Sequence, residues 1–309
     1  MTKYILKRIV MSIFVIFLIA TATFWLCRAI PGGPFDKEKP LNATTIANLN
    51  KKFHLDKPVS EQYVDYMVGV AKFDFGPSYY HINESVNDYI DRCFPVSMTL
   101  GVWAMIVATL LGIPAGIVSA LKQNGWQDNI LKVLTTLFVS LPNFVIASGL
   151  MYFLGIKLRL LPVSMWGTWK EMVMPVLALA AYPLSYFTKM MKSSMLEVLN
   201  SDYIRTAKAK GASNFIVIYK HALKNALLPI ITVMGPMFAS IITGSFVVEK
   251  LFVIPGLGQE FTKSIFNRDY TMIMGLTIFY SILLIASILI VDVLYAVVDP
   301  RIKLGKEGK

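Results

Sequence analysis

Apolar residues along this chain gather into six long runs instead of alternating with polar ones. The runs cover residues 9–30, 96–121, 133–156, 172–188, 226–248 and 270–298, and the second to fifth carry no charged residue. Crossing a bilayer's hydrocarbon core as a helix takes roughly 20 apolar residues, each adding about 1.5 Å of rise. Only helices and closed barrels satisfy backbone polar groups in lipid, and continuous runs of this length are helical. The pattern predicts an all-α membrane bundle of six transmembrane helices, divided as residues 1–30, an outer segment at 31–95, and a five-helix part at 96–309. In the first run, Lys3, Lys7 and Arg8 precede an apolar stretch and Ala20-Thr21-Ala22, which resembles a cleavable signal peptide. Apolar character continues through Thr23-Phe24-Trp25-Leu26, however, and that length predicts a retained helix.

Composition supports lipid as the solvent. Of 309 residues, 55% are hydrophobic and only 16% charged, and the mean hydropathy is +0.58. A soluble domain carries about 45–50% apolar and about 25% charged residues. With the N-terminus inside, the inner segments hold sixteen basic residues, including Lys3, Lys7, Arg8 and a group from Lys189 to Lys224, against Asp128, Glu197, Asp202, Asp299 and Glu307. The net charge of +11 therefore lies on the inner side, as the positive-inside rule requires, and does not indicate nucleic acid. Both termini are expected in the cytoplasm. Cys27 and Cys93 fall near the outer surface, where a disulfide is open to them, although two unpaired thiols in apolar surroundings is the simpler reading.

Two non-membrane segments are too long to be connectors. The outer one, 31–95, opens on Pro31-Gly32-Gly33-Pro34, predicts short helices at 44–53 and 59–72, and suits a small cap. The inner one, 189–225, extends the fourth helix and breaks at Asn200-Ser201-Asp202, which supplies an N-cap. A short helix at 203–210 follows, and Gly211 is placed to end it with positive φ. Ala212-Ser213 starts another helix at 214–223, and the chain re-enters the membrane at Leu227-Leu228-Pro229.

Within the membrane, Ala104, Ala108, Gly112, Gly116 and Ala120 recur every four positions, a flat stripe for close helix packing. Pro114, Pro142, Pro183 and Pro236 interrupt four spans. With Asn143 they are candidates for bending helices or lining a pathway, since transporters place broken helices where freed backbone groups meet water. Asp292 is an acidic residue enclosed by apolar sequence, a functional candidate by default, although a structural ion pair or hydrogen bond is the simpler role. No nucleophile elbow, zinc motif, paired intramembrane carboxylates or phosphate-cradling loop is present. Gly256-Leu257-Gly258 after Pro255 is a turn with no strand before it. If this protein does work against a gradient, the energy has to arrive from another subunit.

The inner segment Asp202-Tyr203-Ile204-Arg205-Thr206-Ala207-Lys208-Ala209-Lys210-Gly211-Ala212, followed by His221-Ala222-Leu223-Lys224-Asn225-Ala226-Leu227-Leu228-Pro229, resembles the EAA loop of binding-protein-dependent ABC importers, in the form found in oligopeptide and dipeptide permeases. Arg205-Thr206-Ala207 stands where the general pattern has Glu-Ala-Ala, and the Leu-Pro pair falls later, as in the peptide subfamily. Pro31-Gly32-Gly33-Pro34-Phe35, Phe75-Gly76-Pro77-Ser78, Gly112-Ile113-Pro114-Ala115-Gly116, Ser140-Leu141-Pro142-Asn143-Phe144, Phe252-Val253-Ile254-Pro255-Gly256-Leu257-Gly258, Arg268-Asp269-Tyr270 and Asp292…Tyr295…Asp299-Pro300-Arg301 resemble the same family in order. Phe73 stands where the family often has Gly, and Thr271 where it often has Pro.

The resemblance implies a non-enzymatic permease subunit in a bacterial inner membrane. It implies as partners a second homologous permease, two cytoplasmic ABC ATPases that bind the ATP and Mg, and an extracytoplasmic peptide-binding protein; this chain itself would bind no cofactor. It makes 203–210 a coupling helix on one ATPase, with Asp202, Tyr203, Arg205, Thr206, Ala207, Lys210, Gly211 and Ala212 as the coupling residues. Import of nickel or another small solute is the alternative within the family. A secondary transporter would need an inverted repeat and intramembrane ion-binding groups, which the sequence does not display.

Overall fold

The computed structural model describes residues 2–35, 42–81, 83–243 and 245–298. The elements are helices: α1 (Thr2–Ala29), α2 (Ala43–Lys52), α3 (Val59–Ala71), α4 (Val86–Leu121), α5 (Trp126–Ser140), α6 (Asn143–Leu150) with a π-helical continuation (Met151–Lys157), and α7 (Trp169–Leu199). Then come α8 (Asp202–Ala209), α9 (Asn214–Ile216), a π-helical turn (Val217–Ala222), α10 (Leu223–Ala226), α11 (Leu228–Ile242), α12 (Phe246–Phe252), α13 (Leu257–Phe266) and α14 (Tyr270–Val298). Among the described residues, extended pairing is confined to one isolated bridge, Pro77 to Ser85.

Among the described residues, three helices are long and apolar enough to cross a membrane alone: Leu6–Ala29 of α1, α4, and Tyr270–Val291 of α14. Two further spans exist if bent pairs are each taken as one, α5 with α6 and its continuation (109°) and Asn214–Ala226 with α11 (47°). The third expected span is thus two helices meeting at a sharp corner. Its cause is local: Pro142 has no N–H to donate and pushes Leu141 into extended backbone (φ −88°, ψ 129°). The fifth expected span, 226–248, also needs correction, because the helix stops at Ile242 and a separate helix starts at Phe246. The fourth lies inside α7, which is long enough but less apolar. Its Ala178, Ala180, Ala181, Ser185 and Thr188 are buried by protein, so this helix needs less lipid-compatible surface. The count of six rests on treating α7 and both bent pairs as spans.

The chain forms two compact units. In the first, Met1–Ser97 with Pro255–Ala286, the core joins Ala20, Phe75, Val86, Tyr89, Ile90, Cys93, Leu257, Met272, Leu276 and Ile278. A smaller cluster holds Phe24, Cys27, Tyr270 and Met274. Both cysteines are buried, and they do not form a disulfide. Asp269, 1% exposed, accepts from Ser78 Oγ (2.5 Å), the Tyr79 N–H (3.1 Å), Thr271 Oγ1 (3.0 Å) and the Met272 N–H (3.2 Å), tying the stretch before α4 to the start of α14. The turn expected at Gly256-Leu257-Gly258 is the first turn of α13, and the Leu257 N–H donates to Ser97 Oγ (2.9 Å).

In the second unit, Met98–Ile254 with the described residues from Ser287 to Val298, the small-residue stripe of α4 packs on α7. A Cβ on Gly112 would lie 2.8 Å from the Leu184 carbonyl oxygen, and one on Gly116 2.5 Å from Met191 Cβ. Ala108 is fully buried, and Thr188 Oγ1 donates to the Gly112 carbonyl across the contact (3.2 Å).

Candidate functional site: a helical corner and a proline-lined cavity

The corner is built from the end of α7 onward. Ser201 occupies the N-cap position of α8, but its hydroxyl donates back to the Val198 carbonyl (2.6 Å) and does not cap the new helix. Along α8, Ile204 is fully buried while Asp202, Tyr203, Arg205, Thr206 and Lys210 are exposed and Ala207 half-buried. One aliphatic anchor thus holds a short helix that leaves most of its other side chains exposed. Tyr203 is both exposed and tethered, since Asn225 Nδ2 donates to its hydroxyl (2.8 Å) and ties α8 to α10. Arg205 and Asp202 pair at 3.6 Å with side chains 73% and 98% exposed, a contact too solvated to hold either in place.

Gly211 ends α8 with φ +79°, and a Cβ there would meet nothing within 4 Å. The glycine is required by backbone conformation and not by space. Ala212 follows half-buried, its N–H donating to the Ala207 carbonyl (3.2 Å), and Ser213 caps α9 through the Ile216 N–H (3.4 Å). The continuation through Val217–Ala222 is π-helical, a rare geometry that concentrates at functional segments.

The second place is a cavity of about 290 Å³ lined by Asn143, Leu179, Tyr182, Pro183, Met237, Ser240, Ile241 and Ser245. It gathers the start of α6, the middle of α7 and the end of α11. Of the proline candidates, Pro183 lines it directly, while Pro142 and Pro236 each precede a lining residue. Pro114 does not reach it and sits exposed on an unbroken stretch of α4. Asp292 lies within α14, and its side chain is outside the described residues. Along α11 the exposed positions are Pro229, Thr232, Pro236 and Ser240, whereas Ile230, Gly235, Ala239 and Ile242 are buried. Pro236 cannot donate to the Thr232 carbonyl, nor Pro183 to that of Leu179; of these two residues, Leu179 lines the cavity.

Ile204, Asn225, Tyr182, Ser240 and Ser245 were not singled out from the sequence. Ile204 carried a signal, as the large aliphatic residue of a polar helix. The hydroxyls did not, because an isolated Ser or Tyr in an apolar run is compatible with any face.

Two family models match: the N-terminal part of binding-protein-dependent transport system membrane components over residues 1–101, and the binding-protein-dependent transport system inner membrane component over residues 112–304. Over 308 residues the chain is 46% identical to the dipeptide transport system permease protein DppB of Bacillus subtilis, covering all of both chains. Over 305 residues it is 43% identical to the oligopeptide transport system permease protein OppB of Haemophilus influenzae, covering 98% of this chain and 100% of that one. Among solved structures, an inward-facing form of the MetNI methionine ABC transporter shares the fold of a chain with TM-score 0.53 at 15% identity, over 68% of this chain and 96% of that chain. The chain belongs to the family of binding-protein-dependent transport system inner membrane components.

Proposed function

We propose that this chain is a peptide permease subunit of an ATP-driven importer in the bacterial inner membrane, with both termini cytoplasmic. It works with a second homologous permease, two cytoplasmic ABC ATPases and an extracytoplasmic peptide-binding protein. ATP and Mg are bound and used on the ATPases, and this chain binds no cofactor of its own. Full-length similarity to dipeptide and oligopeptide permeases supports the substrate class.

The observation that carries the mechanical reading is α8, a short helix with one fully buried isoleucine and with Asp202, Tyr203, Arg205 and Thr206 exposed, following the long helix α7. Asp202, Arg205, Thr206, Ala207 and Lys210 contact an ATPase, and Gly211 and Ala212 make the corner through which its closure tilts α7 and α11 as rigid bodies. The cavity wall is the part of this chain that faces the pathway. The Leu179 carbonyl, which Pro183 leaves without its helical donor, is costly against lipid but is satisfied by water or a passing amide group. Asn143, Tyr182, Ser240 and Ser245 add uncharged polar groups, which suits peptides of varied charge.

The test is purification in mild detergent, followed by cross-linking through Arg205→Cys and labelling of Ser240→Cys with a membrane-impermeant thiol reagent. A second permease, two ATPases, an α8–ATPase adduct and water-accessible labelling at position 240 are expected. Recovery of this chain alone, active in liposomes, would overturn the importer reading. Labelling at 240 no faster than at Leu110→Cys, an exposed apolar position in the span of α4, would overturn the pathway assignment.

A further inference from the structure

Asp128 lies in the first turn of α5 with its side chain fully buried. Its Oδ1 accepts from Ser119 Oγ (2.5 Å) and Lys192 Nζ (2.5 Å). Its Oδ2 accepts from Lys132 Nζ (2.9 Å) and the Asn124 N–H (2.9 Å). The donors come from four places: the end of α4, the turn after it, α5 itself, and α7. Lys132 is 47% exposed and adds little, whereas Lys192 is only 18% exposed. Asp128 and Lys192 therefore form a desolvated pair between elements 64 residues apart in sequence.

A buried ion pair is poor ground for stability, because apolar replacement of both partners is often neutral, while loss of one partner strands the other charge. What the pair does supply is register. Lys192 stands about two turns before the end of α7 at Leu199, and α8 begins just beyond. Any displacement of α8 acts first on those two turns. Without a lateral tie there, α7 can bend or slide against its neighbours and dissipate the movement. With it, the end of α4, the start of α5 and α7 respond as one body.

We propose that Asp128 is a positioning residue that, through Lys192, locks α7 to the α4–α5 hairpin so that a tilt of α8 is delivered to three helices together. This rests on α8 being the ATPase contact. Two variants separate transmission from folding: Asp128→Asn, which strands Lys192, and Asp128→Asn/Lys192→Met, which removes both charges. The assembled importer is reconstituted in liposomes with its binding protein, and uptake of tritiated oligoalanine is measured against phosphate release.

The double variant is expected to assemble in native yield and hydrolyse ATP at near-native rate, with uptake per ATP down about tenfold, the scale of coupling changes made far from either site. The conservative pair Asp128→Glu/Lys192→Arg is expected to restore most of the ratio. A native ratio in the double variant overturns the proposal. So does a fall of uptake and hydrolysis in step with recovered complex, or failure of both variants to assemble, since each makes the pair structural only. Arg205→Cys cross-linking in the same preparation keeps the two readings apart. An absent adduct removes the ATPase-contact reading itself, whereas an adduct with a native ratio removes only the role of Asp128.

Discussion

At the residue scale, Gly211 and Ile204 make opposite demands on their surroundings. Gly211 has open space where a Cβ would stand but a φ of +79°, so substitution is limited by backbone strain. The left-handed region costs most residues roughly 1–2 kcal/mol and is visited more readily by Asn. Gly211→Asn is expected to retain most uptake, while the β-branched Gly211→Val uncouples ATP hydrolysis from it. Equal activity of the two in reconstituted importer would show that the corner does not depend on φ. Ile204 is limited by space. Its truncation to alanine leaves a cavity beneath α8, with a typical cost of about 2–5 kcal/mol. Trypsin should then cut faster after Lys208 and Lys210, a change that peptide mapping would detect. The glycine was legible in sequence because a stop after a short helix is a local event. The tether from Asn225 to Tyr203 was not, since a tyrosine beside a polar corner serves equally as an outward contact or an inward one.

At the scale of elements, the contact between α4 and α7 is set by the absence of side chains. Gly116→Leu would drive a Cβ to 2.5 Å from Met191 Cβ and 2.7 Å from the Thr188 carbonyl. A backbone oxygen cannot step aside as a flexible side chain can, so a loss of about 1–3 kcal/mol and a lower Tm in detergent are expected. Gly149 on α6 is the control, with nothing within 4 Å of its Cβ position. Gly149→Ala should leave Tm unchanged or raise it, because alanine is the better helix former by about 0.5–1 kcal/mol. Equal destabilisation by both changes would contradict the packing account. The four-residue spacing of the stripe was visible in the sequence, but its partner was not, as small residues admit any neighbour. In the same way Pro142 announced a break, and only the packing of α6 set its angle at 109°.

At the scale of the whole molecule, the outer segment belongs with residues far along the chain. Asp269 gathers Ser78 and the Tyr79 N–H across about 190 positions of sequence. Asp269→Ala leaves those donors unpartnered, and hydrogen exchange at 78–81 is expected to rise while α4–α7 contacts in the second unit keep native protection. Uniform loss of protection would mean that Asp269 supports the entire chain. The two short helices, α2 and α3, were legible in the sequence within a residue or two of their observed bounds. The docking of the outer segment was not, because Arg268-Asp269-Tyr270 reads locally as nothing more than a polar helix start.

The sequence by itself determined that this protein is helical, that it lives in lipid, and where the helical corner around Gly211 lies. Those properties follow from local quantities: apolar run length, the need to satisfy the backbone within each segment, and the conformations open to Gly and Pro. Tertiary structure alone decided that α7 is sheathed by protein, that the wall with Asn143, Pro183 and Ser240 encloses a cavity, and that Asp128 finds Lys192. Each of these joins residues that have many acceptable partners, and the choice among them is made by the packing of segments distant in the chain.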